Sequence, residues 1–442
     1  RSMEQLGSLR HLYVTLFLSS YSTFMVIPAI TDVTMLALCP GKDQCSLAIY
    51  LSGFQQAIIG VGSLMMMPLI GNLSDAYGRK ALLTLPMTVS IIPLAILAYS
   101  RTTSFFYAYY VLKTLTAMVS EGGVQCLALA YVADCVSEQE RISAFGFITG
   151  IASAAFVIGT LTTRFISTTT TFQVATLVSM LAAVYMRIFL KETRKHDDVS
   201  SEALLKDETS DAYLDENSLE NMQVFKKVPS IEDLLCLLRS SSTFSHAAIV
   251  AFFSSLADGG MQASLMYFLK ARFQFSKDQF AEIMLIVGVA GTVSQLLVMP
   301  VMATFVQEEK LLSLGLFMGC VTMLLNSISW TAWVPYAVAV LCLFGYFAPP
   351  CLRSIISKQA GPNDQGKAQG CISGISSFAN IVSPLIFSPL TALFLSESAP
   401  FKFPGFSIMC IGLASLIAFI QSLIIKTKSP SETPQGPVCD AC

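Results

Sequence analysis

The sequence predicts an all-α membrane protein: twelve spanning helices arranged as two six-helix pseudo-repeats. Three observations carry that expectation. The 442 residues are 54% hydrophobic and only 13% charged, where a soluble domain is about 25% charged. One water-soluble core could not hide so much apolar surface. Twelve stretches reach the roughly 20 mostly apolar residues that cross a bilayer. Finally, a stretch of the first half recurs in the second: "GFITGIASAAFVIGT" (146–160) aligns without gaps on "GCISGISSFANIVSP" (370–384). Gly, Ile, a hydroxyl residue, Gly and Ile return in step, and the two stretches fall in spans five and eleven, equivalent places in a six-plus-six duplication.

In chain order, polar Arg1–Arg10 leads into span one, 12–36, which is too long for the core of a cleavable signal; Met3 is the expected start. The loop after it, "CPGKDQC", holds Cys39 and Cys45. They are a candidate disulfide if that face is oxidising, or two free thiols. Span two, 46–70, ends at "GNLSDAYGRK" (71–80), which reads as a tight charged turn into span three, 80–100. Spans four to six are 105–132, 143–163 and 171–190. The one long polar connection is 191–240. Its acidic part, 198–222, has the composition of a disordered segment. Its end, "PSIEDLLCLLRS" (229–240), opens with a capping box of Ser230 and Asp233 and continues with leucines at helical spacing, so an interfacial helix is expected there. The same stretch contains D-x-x-x-L-L, a shape that sorting adaptors read. Spans seven to twelve are 245–269, 279–304, 311–329, 333–356, 369–395 and 404–425. The expected division is therefore 1–190, a central loop 191–240, 241–428, and a tail 429–442 whose Cys439 and Cys442 are tail composition rather than a metal site.

Most of the 27 Lys and Arg fall on one side if the N-terminus is cytoplasmic, among them Arg79, Lys80, Arg141, Lys191, Lys195 and Lys426. Both termini are then inside, and Trp330 and Trp333 belong to the outer aromatic belt. Plasma membrane and an endomembrane such as the vacuole both fit. A net charge of −2 points to no nucleic acid. His11, His196 and His246 form no ligand cluster, so no metal and no cofactor are expected. No nucleophile is paired with a base, so an enzyme is not expected either.

Ionisable groups inside spans are costly and mark function. Lys113 and Glu121 lie in span four, eight residues apart. On a continuous helix that is about 12 Å along the axis and about 80° around it, which argues against a direct bond. Glu121 is a candidate proton carrier, or a structural carboxylate beside Gly122 and Gly123. Asp258, in "SLADGGMQ" of span seven, is a second candidate. "EGG" and "DGG" sit at comparable depths of the two halves. Gln55, Gln56, Gln262, Gln295 and Asn380 either meet solute or tie helices together.

The stretch from Gly71 to Lys80 has the pattern G-x-L-S-D-x-x-G-R-K with Leu83 beyond. It resembles the signature loop of the major facilitator superfamily, departing at Ala76 where that family usually has a basic residue. "ADCVSEQERISAFGFITG" (133–150), "FLKETR" (189–194) and "SKQAGPNDQGKAQGCISG" (357–374) are similar to the tetracycline-resistance drug/proton antiporters and the hippocampus-abundant-transcript-like proteins. The resemblance implies a secondary transporter, a monomer in the lipid bilayer, moving a small organic solute against protons. It implies a gating motif of Gly71, Asp75, Gly78, Arg79 and Lys80, completed by Asp134. It places Lys113 where the family usually has an Arg implicated in proton coupling, and assigns spans one, four, seven and ten to the cavity. Lys113, Glu121, Asp258 and Gln262 of spans four and seven, with Gln55 of span two as a polar group able to meet solute, form the candidate coupling and substrate set. Span five reads "IGTLTTR" (158–164), keeping Gly159 without the proline and glycines of the antiporter motif. Symport, facilitated transport, or a receptor or scaffold that no longer transports thus stay open.

Overall fold

The computed structural model describes residues 2–38, 46–193, 241–361, 364–395 and 399–425. Cys39, Cys45, the 198–222 segment, the 229–240 helix and the tail cysteines lie outside the described residues. The helices are α1 (Ser2–Leu38), α2 (Ser46–Tyr77), α3 (Arg79–Val89), α4 (Ile91–Tyr99), α5 (Thr103–Ser120), α6 (Gly123–Cys135), α7 (Arg141–Thr162) and α8 (Thr168–Phe189). After the central connection come α9 (Ser242–Phe273), α10 (Lys277–Val293), α11 (Met299–Phe305), α12 (Glu308–Ser327), α13 (Val334–Gly345), α14 (Ala348–Gln359), α15 (Gln365–Leu395) and α16 (Phe406–Ile424). A π-helical turn, Ser294–Val298, joins α10 to α11.

Four spans are built from more than one piece. The third is α3 and α4, the fourth α5 and α6, the eighth α10 to α11, and the tenth α13 and α14. Eleven stretches among the described residues are long and apolar enough to cross a membrane. The twelfth expected span is α9, a continuous helix of 32 residues whose hydropathy His246, Asp258 and Gln262 lower. α9 packs on α15 and α16, as α1 packs on α7 and α8. Each half has a core of its own: Leu12, Met67, Leu83 and Phe145 in the first, Leu311, Phe347, Ile355 and Ile372 in the second. The halves meet along α2 against α15 and along α7 against α10.

Two sequence expectations need correction here. The stretch from Gly71 to Lys80 is not a turn. α2 runs on through Tyr77, and the chain reverses at Gly78 alone before α3 begins at Arg79. One residue suffices because Gly78 has φ +100°, a conformation only glycine adopts at little cost. Second, the likeness of "EGG" and "DGG" in sequence does not extend to their backbones; their depths are a separate matter. Span four breaks at Glu121–Gly122, with Gly122 left-handed at φ +83°, whereas α9 passes through Asp258 unbroken. The counterpart of the span-four break is the junction at Tyr346 between α13 and α14, ahead of Pro349 and Pro350.

Candidate functional site

Polar groups gather at two places, one at an end of the bundle and one within it. At the end, Arg79 is fully buried. Its Nη2 lies 2.5 Å from Asp75 Oδ1, its Nε 2.8 Å from Asp134 Oδ2, and its Nη1 donates to Ser74 Oγ at 2.5 Å. The guanidinium fork, with its donors held in one plane, serves all three acceptors at once. Asp75 then reaches across to the other half. Its Oδ1 and Oδ2 accept the backbone N–H groups of Gly366 and Lys367 at 3.1 and 2.9 Å. Those are first-turn donors of α15, which no intrahelical carbonyl can satisfy. The carboxylate therefore caps a helix it is not part of. Gly71 and Gly366 meet backbone to backbone, and a Cβ on either would collide with the other's carbonyl.

Glu192, just past α8, does the same for α3. Its carboxylate accepts the N–H groups of Arg79, Lys80 and Ala81 at 2.7 to 3.3 Å. It also packs on Gly78, so that glycine is required by space as well as by φ. The sequence signal for Glu192 is slight, a single acid following span six in the otherwise basic run "FLKETR". Arg141 adds a second link between the halves, donating to Ala133 O at 3.1 Å and to Ser357 O at 3.3 Å. In the second half, Glu308 Oε1 lies 2.7 Å from Lys358 Nζ, and Ser354 donates to its other oxygen. The repeat register puts Lys358 where the first half has Asp134. The two halves thus carry comparable ion pairs with the charges reversed.

Inside the bundle is a cavity of about 630 Å³ between the halves. α2 contributes Gln56, Gly60 and Ser63, the span-four break Glu121 and Gln125, α14 Arg353, and α15 Ser373, Ser376, Ser377 and Asn380. Ile59, Ile381, Pro384 and Leu385 form its apolar wall. Lys113 Nζ and Glu121 Oε1 are 2.8 Å apart, contrary to the expectation that they do not bond. The expected separation holds for a continuous helix, and the break at Gly122 lets Glu121 leave the helical path.

The remaining candidates fall elsewhere. Gln55 donates to Tyr110 O and Thr114 Oγ1, tying α2 to α5, while its neighbour Gln56 faces the cavity. Gln295 donates to Tyr346 O, tying the π-turn to span ten. Asp258 and Gln262 are exposed and lie one turn apart on α9. None of Lys113, Gln55, Asp258 and Gln262 lines the 630 Å³ cavity. Arg353, which does, was passed over because a basic residue near a span end is expected to serve topology alone.

The family model described as Major Facilitator Superfamily matches residues 12–384. The chain belongs to the major facilitator superfamily. Like the superfamily's other members it is a multi-pass membrane protein with a transporter fold. The human hippocampus abundant transcript 1 protein is 24% identical over 359 residues, which is 78% of this chain and 67% of that one. The class B tetracycline resistance protein of Escherichia coli is 22% identical over 389 residues, 87% of either chain. Among solved structures, the human organic anion transporter MFSD10 superposes with a TM-score of 0.73 at 19% identity, covering 95% of this chain and 99% of that one; at that identity the likeness shows the fold.

Proposed function

We propose that this superfamily member is a secondary active transporter that moves a small organic solute by alternating access, coupled to protons. One observation carries the reading: Asp75 caps α15 across the boundary between the halves. Alternating access needs a contact that holds one end shut and can be released. A carboxylate on two first-turn N–H groups contributes on the order of 1–2 kcal/mol, enough to bias two states and too little to freeze one. Arg79 and Asp134 position that carboxylate, and Glu192 fixes the turn that carries it. The units that rock are 1–190 and 241–428, joined by 191–240.

Lys113 and Glu121 form the coupling pair in this reading, with Asp258 as a second proton or cation group. Likeness to the tetracycline resistance proteins favours antiport; symport and uniport use the same fold. The names of the relatives point to different cargoes and bound this one only to small organic molecules. Because the cavity lies within one chain, a monomer suffices. Both termini are assigned to the cytoplasm, at the plasma membrane or an endomembrane.

The test is solute flux in cells or vesicles carrying Asp75→Asn, with delivery to the membrane measured in parallel. Flux is expected to fall at least about tenfold at normal delivery, since the amide keeps its shape and loses the charge, a change of about 1.4 kcal/mol or more. Undiminished flux sinks the latch account, and a wild type that moves no solute leaves a receptor or scaffold of the same fold.

A further inference from the structure

We propose that Arg353 anchors an anion site in the 630 Å³ cavity, and that the cargo class is organic carboxylates. The identification of bound anion with cargo rests on the transporter reading; the site itself does not.

A guanidinium within a membrane-embedded bundle is expensive unless it is paired or has work to do. Arg353 has no carboxylate among the described residues within ion-pair distance. Its hydrogen bonds all leave from Nη1, to Gln369 O at 3.1 Å, Gln369 Oε1 at 3.3 Å and Ser373 Oγ at 3.1 Å. Gln369 answers with its own amide, donating to Arg353 O at 3.2 Å. These partners are neutral. They aim the side chain without cancelling its charge.

The rest of the fork is left over. Nε and Nη2 have no hydrogen-bond partner among the described residues, yet neither is a buried unsatisfied donor, so both retain accessible surface on a side chain that lines the cavity. Nε and Nη2 form one edge of the guanidinium, the edge whose spacing matches the two oxygens of a carboxylate. The other ionised group on the wall is Glu121, and Lys113 holds it at 2.8 Å. The net charge of the cavity is therefore set by Arg353. Unlike a lysine or histidine, an arginine does not deprotonate in a protein, so Arg353 is a fixed anion anchor and not a proton carrier. Serine, glutamine and asparagine side chains can hydrogen-bond further polar groups of the ligand, and the Ile59, Ile381, Pro384 and Leu385 wall receives an apolar body. The volume lies in the range of small-molecule sites, about 300–1,000 Å³.

The experiment is thermal unfolding of the detergent-purified full chain with benzoate, phenylacetate and hexanoate, each against its uncharged amide. The carboxylates are expected to raise the midpoint and the amides are not. Arg353→Gln should weaken carboxylate binding about tenfold to a hundredfold, the equivalent of losing charged hydrogen bonds. Arg353→Lys should keep part of it, since a charge remains while the two-pronged contact is lost. Equal effects of acid and amide on the wild type, no stabilisation by any of the carboxylates, or full selectivity in Arg353→Gln each overturn the site. If Arg353→Gln does not fold, the acid–amide comparison on wild type and Arg353→Lys decides. Flux separates the two readings. Carboxylates that bind but never move leave the site standing and overturn their identification as cargo. Flux of uncharged or cationic solutes that Arg353→Gln does not alter removes carboxylates as the cargo class and leaves the transporter, the site itself being decided by the binding comparison.

Discussion

Arg79 shows how one side chain can be legible in type and not in detail. Its position in the G-R-K run gives it the place of an arginine in the superfamily's signature loop, and the expectation that Asp75 and Asp134 join it follows from the same resemblance. That it is fully buried between two carboxylates and a serine is visible only in three dimensions. Removing one partner of a buried charge cluster leaves the others unpaired, at about 3 kcal/mol or more. Arg79→Ala should therefore lower the midpoint of thermal unfolding in detergent clearly. Arg79→Lys should fall between it and wild type, because one ammonium cannot span Asp75, Asp134 and Ser74. A midpoint unmoved by Arg79→Ala would mean that Asp75 and Asp134 find other partners, and the network would lose its claim to hold this end together. Glu192 and Arg353 were harder to see for a physical reason. An acid or a base near a span end is what interface topology alone would place there, and only its distances show that it caps a helix or faces a cavity. The Lys113–Glu121 bond was hidden for another reason: angles around a helix say nothing once the helix breaks between or beside the residues compared.

At the scale of elements, apolar periodicity located the spans, because crossing a bilayer is a requirement of length and hydropathy. It could not locate the interruptions. The breaks at Gly122 and Tyr346 and the π-turn at Ser294–Val298 are local backbone choices that an apolar average over roughly 20 residues passes over. Nor could it show which face of α15 meets α2. Gly366, Gly370 and Gly374 recur every four residues, and added methyl groups there would strike Gly71, Met67 and Leu64 respectively. Small residues at that spacing let two helix backbones approach closely, and here they join the two halves along the seam that Asp75 closes. Gly370→Val should therefore wedge α2 from α15. Cys126 reports on it, being fully buried in α6, which packs against α15. Maleimide labelling of Cys126, read by mass spectrometry, is expected to be negligible in the wild type and to rise in Gly370→Val. Gly319→Val is the control, because a methyl there has room, its nearest neighbour being Ser415 Oγ at 3.7 Å. Equal labelling of Cys126 in both variants would show that the seam does not depend on the close approach.

For the whole molecule, the duplication read from 146–160 and 370–384 has a mechanical meaning. Two halves that share a fold can exchange one set of boundary contacts for an equivalent set at the opposite end, which is what alternating access asks of them. The described contacts tie them at the end that carries Asp75, Arg141 and the first turn of α15. What drives the exchange was only partly legible, since composition gives charged residues within spans and not the order in which they trade partners. Proton coupling is therefore a prediction about the whole chain, and its sign is measurable. The purified protein is placed in vesicles with a pH dye trapped inside, and solute is added outside without a pH gradient. Antiport, which the tetracycline-resistance likeness favours, makes each solute entering expel protons, so the lumen turns alkaline. Symport turns it acid, and uniport of an uncharged solute leaves it unchanged. Random orientation of the protein does not blur the sign, because inverting a carrier inverts neither form of coupling. Empty vesicles correct for solutes that carry protons through the lipid unaided. In Glu121→Gln the carboxyl can no longer exchange a proton and Lys113 loses its partner, so the solute-driven pH change is expected to vanish there. Its loss in Asp258→Asn as well would place two proton-binding groups on the path, one in each half. Survival of the full signal in Glu121→Gln would reduce the 2.8 Å pair to a structural brace across the span-four break and leave Asp258 as the other candidate carboxyl to carry the coupling.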